Sequence, residues 1–513
     1  MSELIYFFAL VLAMACSQLR WLRVAQREHY LTGSATRFAF RWWSSSLVNF
    51  VIFLLTLLLV LATFSLSASS VGVSLLMVIA PLGLSLRGRT SKLVWTRRLR
   101  LLAITTALLW VLPVIFVTAV TSSDTGVRSA TLLLVLAPLL VDFSLWLTAP
   151  IERRLSDRFV IEARRRLQRV QPLVVAITGS YGKTTTKHYV AHLLSLHHVA
   201  LASPRSFNNR AGLARTVNEL LVPGTEIFIA EMGTYGPGEI RELCQWIPPR
   251  ISVITAIGPV HLERFKDLSV TLAAKAEIAE HANDVVLNGD DELLRRLVSP
   301  LREQGKRILV VSATDEHADL CLRSEGAEIV LYRHGRQLAR ERLAEELRPP
   351  ALTNAACAIG VAVLLGDDPV ESFQEVRRLD QPQNRLTETT GSTGVTIIDD
   401  TFNSNPAGAE LAVERLGLLG QRKQRRVLVT PGMIELGRRQ RQANRKLAKQ
   451  ASAVCTDILI VGRTNRRALL AGATGRVHLV LAQHRDEAVA WVKSNLTDQD
   501  IVLYENDLPD HYA

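Results

Sequence analysis

Five apolar runs fill the first 150 residues and constrain the fold more than any other feature of the chain. They lie at about Leu4–Leu19, Leu47–Leu66, Val71–Leu86, Leu101–Val120 and Ala130–Ala149. A helix crossing a hydrocarbon core needs about 20 apolar residues, and the three longest runs approach that length. The first and third are shorter and suit tilted, re-entrant or interfacial segments. The intervening charge is one-sided. Arg20, Arg23, Arg27, Arg37 and Arg41 follow the first run, Arg87, Arg89, Lys92, Arg97, Arg98 and Arg100 follow the third, and Arg153, Arg154, Arg158 and Arg164 to Arg166 follow the fifth. The other two loops contain one basic residue, Arg128. By the positive-inside rule this predicts a multi-pass cytoplasmic-membrane domain of about five spans over residues 1–150, with the N-terminus outside and the remainder in the cytosol. Glu3 and the absence of a small-residue cleavage site before Arg20 argue against a removable signal peptide. Trp42, Trp43, Trp95 and Trp146 suit interface belts.

The formal net charge of +12 sits entirely in residues 1–170, which hold 19 Lys and Arg against 7 Asp and Glu. It is therefore a topology signal rather than the footprint of a nucleic-acid partner. The five cysteines, Cys16, Cys244, Cys321, Cys357 and Cys455, form no C-x-x-C pair, which fits a reducing compartment and no zinc ribbon.

Residues 151–171 read as a basic helical connector. From Pro172 short apolar runs alternate with amphipathic helices, the signature of a parallel α/β sheet. Strands are predicted at Leu173–Thr178, Glu226–Glu231, Ile251–Ala256, Val285–Leu287 and Ile308–Ser312. A second series is predicted at Val395–Ile398, Val427–Thr430, Ile458–Val461, Val477–Leu481 and Ile501–Tyr504. The expected fold is thus an α-helical membrane domain followed by two α/β domains, a central phosphate-loop domain at 172–382 and a Rossmann-like C-terminal domain at 383–513.

Within the first series, Val174-Val-Ala-Ile-Thr-Gly179-Ser180-Tyr181-Gly182-Lys183-Thr184-Thr185 is a buried strand, a glycine turn and a helix start. Backbone N–H groups and the helix dipole converge there on one anion. Lys183 supplies a point charge for phosphate oxygens and Thr184 a hydroxyl for Mg²⁺. The spacing Gly179-x-x-Gly182-Lys183-Thr184 is shorter than the general phosphate-loop pattern. Glu231 ends a strand ahead of Gly233, where a carboxylate faces ligands beyond the sheet edge. His261, Lys275, the polar segment Asn208-Asn209 and the strand end Asp399-Asp400 with Asn403 and Asn405 are weak signals taken singly.

Together these residues resemble the muramyl ligase family, ATP-dependent amide ligases of peptidoglycan precursor assembly, and especially its branch adding D-alanyl-D-alanine to the muramoyl-tripeptide. The resemblance rests on Thr178 to Lys187, Asn208-Asn209 with Gly212, Glu231-Met-Gly233, His261-Leu-Glu263 with Lys275, Leu287 to Asp291, Asn354, Arg385-Leu386, Asp399 to Pro406 and Gly432 to Gly437. It implies that Gly179 to Thr185 hold ATP, with Asn354 at adenine and Arg385 and Asp400 closing over the nucleotide. Thr184 and Glu231 would hold one Mg²⁺, with Asn209 nearby. His261 and Lys275 would hold a second, Lys275 as a carbamate. Lys183, His261 and Lys275 are then the catalytic set, and Asn208, Asn209, Asn403 and Asn405 face substrate. Partners implied are a cell-wall precursor, an amino acid or dipeptide, and the bilayer.

The chain departs from the family pattern in three places. Residues 1–170 replace the UDP-sugar domain, Pro350-Ala351 stands where His-Asn is usual, and the chain ends in Tyr504 to Tyr512 without the Lys-Gly-Ser type of ending. Rival readings are a ligase for another envelope polymer, of the poly-γ-glutamate type, a ligase for a lipid-linked precursor, and an ATP-switched membrane scaffold or transporter.

Overall fold

A computed structural model describes residues 2–86, 88, 93–204, 207–260, 262–342, 351–379, 386–401, 404–508 and 511–512. Seven helices precede the first strand: α1 (Ser2–Arg27), α2 (Ser34–Trp43), α3 (Leu47–Thr63), α4 (Ser69–Ile79), α5 (Arg97–Val120), α6 (Ser123–Val135) and α7 (Ala137–Val170). Among the described residues two of them, over Ile5–Arg27 and Arg97–Val120, are long and apolar enough to cross a membrane. The number rises to four if the bent pairs α2–α3 (109°) and α6–α7 (77°) each count as one.

The five apolar runs therefore do not become five full-length helices. The third run stops as a helix at Ile79, just before Pro81, and the fifth is divided at Leu136, with Pro138 in the first turn of α7. Proline has no N–H to give a preceding turn, fits best at a helix start and tends to break or kink a helix elsewhere.

Arg20, expected as a loop charge, lies on α1 and is buried. It donates to the carbonyls of Met77 (2.9 Å), Ala80 (3.1 Å) and Leu84 (3.2 Å), capturing groups orphaned where α4 ends. Asp142 on α7 does the converse for α2, accepting from the N–H groups of Gly33 (2.9 Å), Ala35 (3.2 Å) and Thr36 (2.8 Å).

The basic connector is not a separate element. It forms the second half of the 34-residue α7, whose Val160, Ala163 and Leu167 enter the core formed by Ala176, Phe228 and Ala230. Arg166 Nε donates to Leu221 O at 2.6 Å and Asn218 Nδ2 to Phe159 O at 2.9 Å. The helix is a strut from the apolar segment into the first sheet.

That sheet has nine strands: β1 (Leu173–Thr178), β2 (Ala200–Ala202), β3 (Ile227–Glu231), β4 (Ile251–Ile254), β5 (Asp284–Asn288), β6 (Arg307–Ser312), β7 (Leu320–Glu325), β8 (Glu328–Arg333) and β9 (Arg336–Arg342), in the order β2-β3-β1-β4-β5-β6-β7-β8-β9. Pairing is parallel from β2 to β7 and antiparallel across β8 and β9. The sequence predicts β1 and β3 to β6, whose apolar runs are continuous, but not β2, β7 or the antiparallel strands β8 and β9. The chain leaves β1 on one side for β2 and β3 and returns on the other as β4, so the end of β1 is a topological switch point where a crevice opens.

The second sheet, β10 (Thr387–Thr390), β11 (Thr396–Asp400), β12 (Arg426–Thr430), β13 (Asp457–Val461), β14 (His478–Ala482) and β15 (Ile501–Glu505), runs β10-β11-β15-β12-β13-β14 and is parallel except at β10. All three parts meet at α2. Arg41 Nη2 bonds Glu263 Oε1 at 2.8 Å, Trp42 Nε1 donates to His511 O at 2.8 Å, and His511 Nε2 lies 3.1 Å from Glu28 Oε1.

Glu505 ends the central strand β15 fully buried and is held by the hydroxyls of Ser404 and Thr430. Burial pushes its carboxyl up to about 7. The folded state thus keeps a proton that the unfolded chain releases near pH 4.5, so stability falls as pH rises through this window and the whole cost is present above about pH 7. The size is up to about 3 kcal/mol. Glu505→Gln should match the wild type near pH 5 and melt higher at pH 8, as followed by calorimetry. Parallel melting curves at both pH values would contradict this.

Candidate active site

The switch point is built from β1, the turn Gly179 to Gly182 and helix α8 (Lys183–Leu194). Gly182 has φ 78°, a backbone that L side chains rarely adopt, and a Cβ there would collide with Asn354 Oδ1. Gly179, at φ 153°, has Thr255 in the same position. Thr185 is buried in the first turn of α8. Ser180 Oγ donates to Gly258 O at 3.2 Å, and the Tyr181 ring lies against Gly258. The loop is thus pressed from both sides, with its N–H groups at the helix start left for a ligand.

Lys183 folds back onto the turn, its Nζ donating to Gly179 O at 2.7 Å. Thr184 Oγ1 donates to Glu231 Oε2 at 3.0 Å. Glu231 is 1% exposed and also takes Lys187 Nζ at 3.0 Å and Asn208 Nδ2 at 3.1 Å. Burial works against its charge, but Lys187 and Lys183 together hold the carboxyl below its ordinary value.

Lys187, fully buried beside this carboxylate, is the residue that sequence reading passed over. Its signal was a second lysine four positions after Lys183, on the same face of α8. Gly233 is explained as well. A Cβ there would meet Asn208 at 2.9 Å, and its N–H donates to Asn208 O at 2.7 Å, so the glycine lets Asn208 reach Glu231.

Asn208, not Asn209, occupies the position beside Glu231. Asn209 caps the helix Arg210–Leu220, its Oδ1 accepting from Gly212 N at 3.0 Å. Asn405 likewise caps Pro406–Leu419 through Gly408 N at 2.9 Å. A capping side chain is committed to the backbone. Asn354, on the buried helix Ala351–Leu365, accepts from Thr186 Oγ1 at 3.2 Å and lies against the phosphate loop. Asp400 ends β11, and its carbonyl accepts from Asn506 N at 3.1 Å. His261, Arg385 and Asn403 lie outside the described residues.

Lys275 sits in the helix Leu268–Glu280, 3% exposed. Burial, and then the charge of Lys183, lower its pKa well below the ordinary lysine value. No acid or acceptor holds its amine among the described residues. Its burial therefore disfavours the ammonium form relative to an exposed lysine.

Thr184 and Glu231 offer hard oxygen donors at a helix start, which fits Mg²⁺ held together with phosphates. Among the described residues no group of three His, Cys, Asp or Glu gathers elsewhere for a metal.

This fold and site define the core of an ATP-dependent acid–amine ligase. The Mur ligase middle domain model matches residues 177–362, and that of the Mur ligase glutamate ligase domain matches 384–504. Together they cover more than half the sequence, and the chain belongs to the Mur ligase family. It is 29% identical over 356 residues to the UDP-N-acetylmuramoyl-tripeptide–D-alanyl-D-alanine ligase of Mycobacterium tuberculosis, across 64% of this chain and 69% of that one. To the protein of the same description from Synechocystis it is 27% identical over 347 residues, across 66% and 72%. Two solved structures share the fold. MurF from Acinetobacter baumannii has a TM-score of 0.58, 24% identity, and coverage of 67% of this chain and 75% of that one. MurF ligase from Thermotoga maritima in complex with ADP has a TM-score of 0.58, 23% identity, and coverage of 69% and 80%.

Removing one member of a buried ion pair leaves the other uncompensated, at a cost of about 3–5 kcal/mol. Lys187→Met should therefore destabilise the protein more than the double variant Lys187→Met/Glu231→Gln, in denaturant unfolding followed by tryptophan fluorescence. Additive losses would mean that the two side chains do not pair.

Proposed function

We propose that this chain adds D-alanyl-D-alanine to the muramoyl-tripeptide of a peptidoglycan precursor, carried on UDP as in the relatives' names, at the inner face of the cytoplasmic membrane. The observation that carries the reading is the buried Thr184–Glu231–Lys187 cluster under the phosphate loop, with the buried Lys275 close enough to Lys183 to feel its charge. An ATPase switch needs the loop, but it has no use for a second, desolvated lysine.

The acceptor's terminal carboxylate attacks the γ-phosphorus of ATP, forming an acyl phosphate and releasing ADP. The dipeptide's amine then attacks the acyl carbon, an amide forms, inorganic phosphate leaves, and the amine's proton passes to solvent or phosphate. Lys183 turns from Gly179 O to the β- and γ-phosphate oxygens and offsets their charge. The N–H groups at the start of α8 hold the same phosphates. Mg²⁺, when bound at Thr184 and Glu231, neutralises phosphate oxygens and aligns them for in-line transfer.

Lys275, whose burial disfavours the ammonium, would take up CO₂ as a carbamate and release its protons to solvent, which turns a lysine into an anionic oxygen ligand. With His261 it would hold a second Mg²⁺. Asn354 and Arg385 serve the nucleotide in this reading, Asp400 closes the site from the C-terminal domain, and the loop bearing Asn403 faces substrate. Excluding water from the acyl phosphate is the task of that closure. The helices α1, α3 and α5 and the bent pair α6–α7 hold the enzyme in the bilayer, and the short α4 returns the chain between α3 and α5, so that the charged loops lie on the cytosolic side.

Detergent-solubilised protein should turn over ATP repeatedly only when both the muramoyl-tripeptide and a dipeptide are present. With the dipeptide omitted, hydroxylamine should trap the acyl phosphate as a hydroxamate. ADP release without either substrate, and no hydroxamate, would contradict ligation. Lys275→Ala should lower turnover at least about 100-fold, as expected when a charge-stabilising group is lost, and short carboxylic acids should restore part of it. No rescue by any such acid would remove the carbamate.

A further inference from the structure

Glu28, in the turn after α1, has a side chain only 5% exposed and meets cationic or basic groups from all three parts of the chain. Its Oε2 takes Arg37 of α2 at 2.8 Å and Arg264 of the phosphate-loop domain at 3.8 Å. Its Oε1 lies 3.1 Å from His511 Nε2. Arg37 also reaches Glu263 at 4.0 Å, and Arg41, one turn further along α2, donates to Glu263 at 2.8 Å. Because Glu263 and Arg264 are neighbours in the chain, Glu263, Arg37, Glu28 and Arg264 form a closed ring of alternating charge.

The ring closes on a segment that cannot fix its own position. Leu262–Phe265 is a single helical turn of four residues. So short a helix has no stability of its own, and its place is set by what surrounds it. Leu262 and Phe265 are buried, and a Cβ on Gly437 of the C-terminal domain would touch the Leu262 backbone at 3.4 Å. The two charged residues of the turn are held by the ring.

A second tie runs beside the first. The Arg264 guanidinium lies over the Tyr235 ring, 4.5 Å from its centroid, and Tyr235 Oη is 3.3 Å from His29 Nε2. Tyr235 stands four residues after Glu231. The helical segment therefore grips both loops that leave β3 and β4 at the switch point. The turn that presents Glu28 and His29 is itself unusual, since His29 and Tyr30 have φ of 57° and 58°. Such left-handed backbone at residues other than glycine persists only where the surroundings impose it.

We infer that Glu28, Arg37 and Arg41 are positioning residues of the ligase site, fixing the turn Leu262–Phe265 and with it the adjoining His261, so that the second cation site is complete only with the helical segment in place. This rests on the proposed reading, in which His261 holds that cation. The three residues act through Glu263 and Arg264. A misplacement of about 1 Å at a reacting centre costs on the order of 100-fold in rate, which is how a contact outside the site makes itself felt.

The test uses full-length protein in detergent, with Mn²⁺ as probe, titrated by electron paramagnetic resonance in the presence of ADP and bicarbonate. The wild type should bind two Mn²⁺ per chain. Arg41→Glu and Glu263→Arg should each weaken the second ion at least about tenfold, the loss expected when a group that orients a metal ligand is removed. The first ion and the affinity for ADP should not change. Pairing has a signature that general damage lacks: Arg41→Glu/Glu263→Arg together should bind the second ion within about threefold of the wild type. In turnover, each single variant should need about tenfold more Mg²⁺ for half-maximal rate, and the double variant should recover. An unchanged second ion in both single variants, a double variant no better than the worse single one, or loss of both ions together would each overturn the inference. A wild type that binds one Mn²⁺ yet ligates would overturn it and leave the ligase reading intact, whereas a wild type that ligates nothing would remove the reading on which it rests.

Discussion

The buried contact between Glu231 and Lys187 is the constraint on which the nucleotide site depends. Glu231 ends β3 opposite Ile177 of β1, and Met232 N donates to Ile177 O at 2.8 Å, so the carboxylate is fixed to the sheet. A carboxylate with 1% exposure needs a cation and hydrogen-bond donors. Lys187, Thr184 and Asn208 supply them. Because Thr184 and Lys187 lie one turn apart on α8, meeting both at one carboxylate sets the helix's rotation and depth, and with them the place of Lys183 and of the N–H groups at the helix start. The glycines follow from the same requirement, as Gly182 admits Asn354 and Gly233 admits Asn208.

Much of this was legible in the sequence, and the failures have physical causes. Parallel strands buried on both faces appear as unbroken apolar runs, so β1 and β3 to β6 were readable. The strand β9 and the edge strand β10 were not, because Arg336–Arg342 and Thr387–Thr390 are polar and partly exposed and carry no continuous run, while β8 was missed although Ile329 to Leu331 form a short buried one. Lys187 was overlooked because a lysine inside a helix ordinarily points to water. Asn208 and Asn209 are neighbours of one type, and only the spacing from Asn209 to Gly212, that of a helix cap, distinguishes the capping residue from the one beside Glu231. Arg20 was counted as a loop charge because hydropathy does not reveal that α4 ends early and leaves carbonyls to be satisfied.

The helical segment is more than an apolar appendage. Its α2 touches both α/β domains, through Arg41 on Glu263 and through Trp42 on His511, and Glu28, just before α2, meets His511 as well. Glu263 is two positions from His261 in sequence, so α2 is tied to the segment proposed to hold the second cation. Through α7 the same segment shares a core with β1 and β3. Any closure of the C-terminal domain over the phosphate loop would therefore have to be accommodated at α2.

The central claim, transfer of the γ-phosphoryl group to a carboxylate over the Lys183 loop, is tested most directly by oxygen labelling. An acceptor labelled with ¹⁸O in its terminal carboxylate should give inorganic phosphate containing one ¹⁸O atom per amide formed, measured by mass spectrometry. Phosphate labelled only from ¹⁸O-water, with none from the carboxylate, would contradict the account.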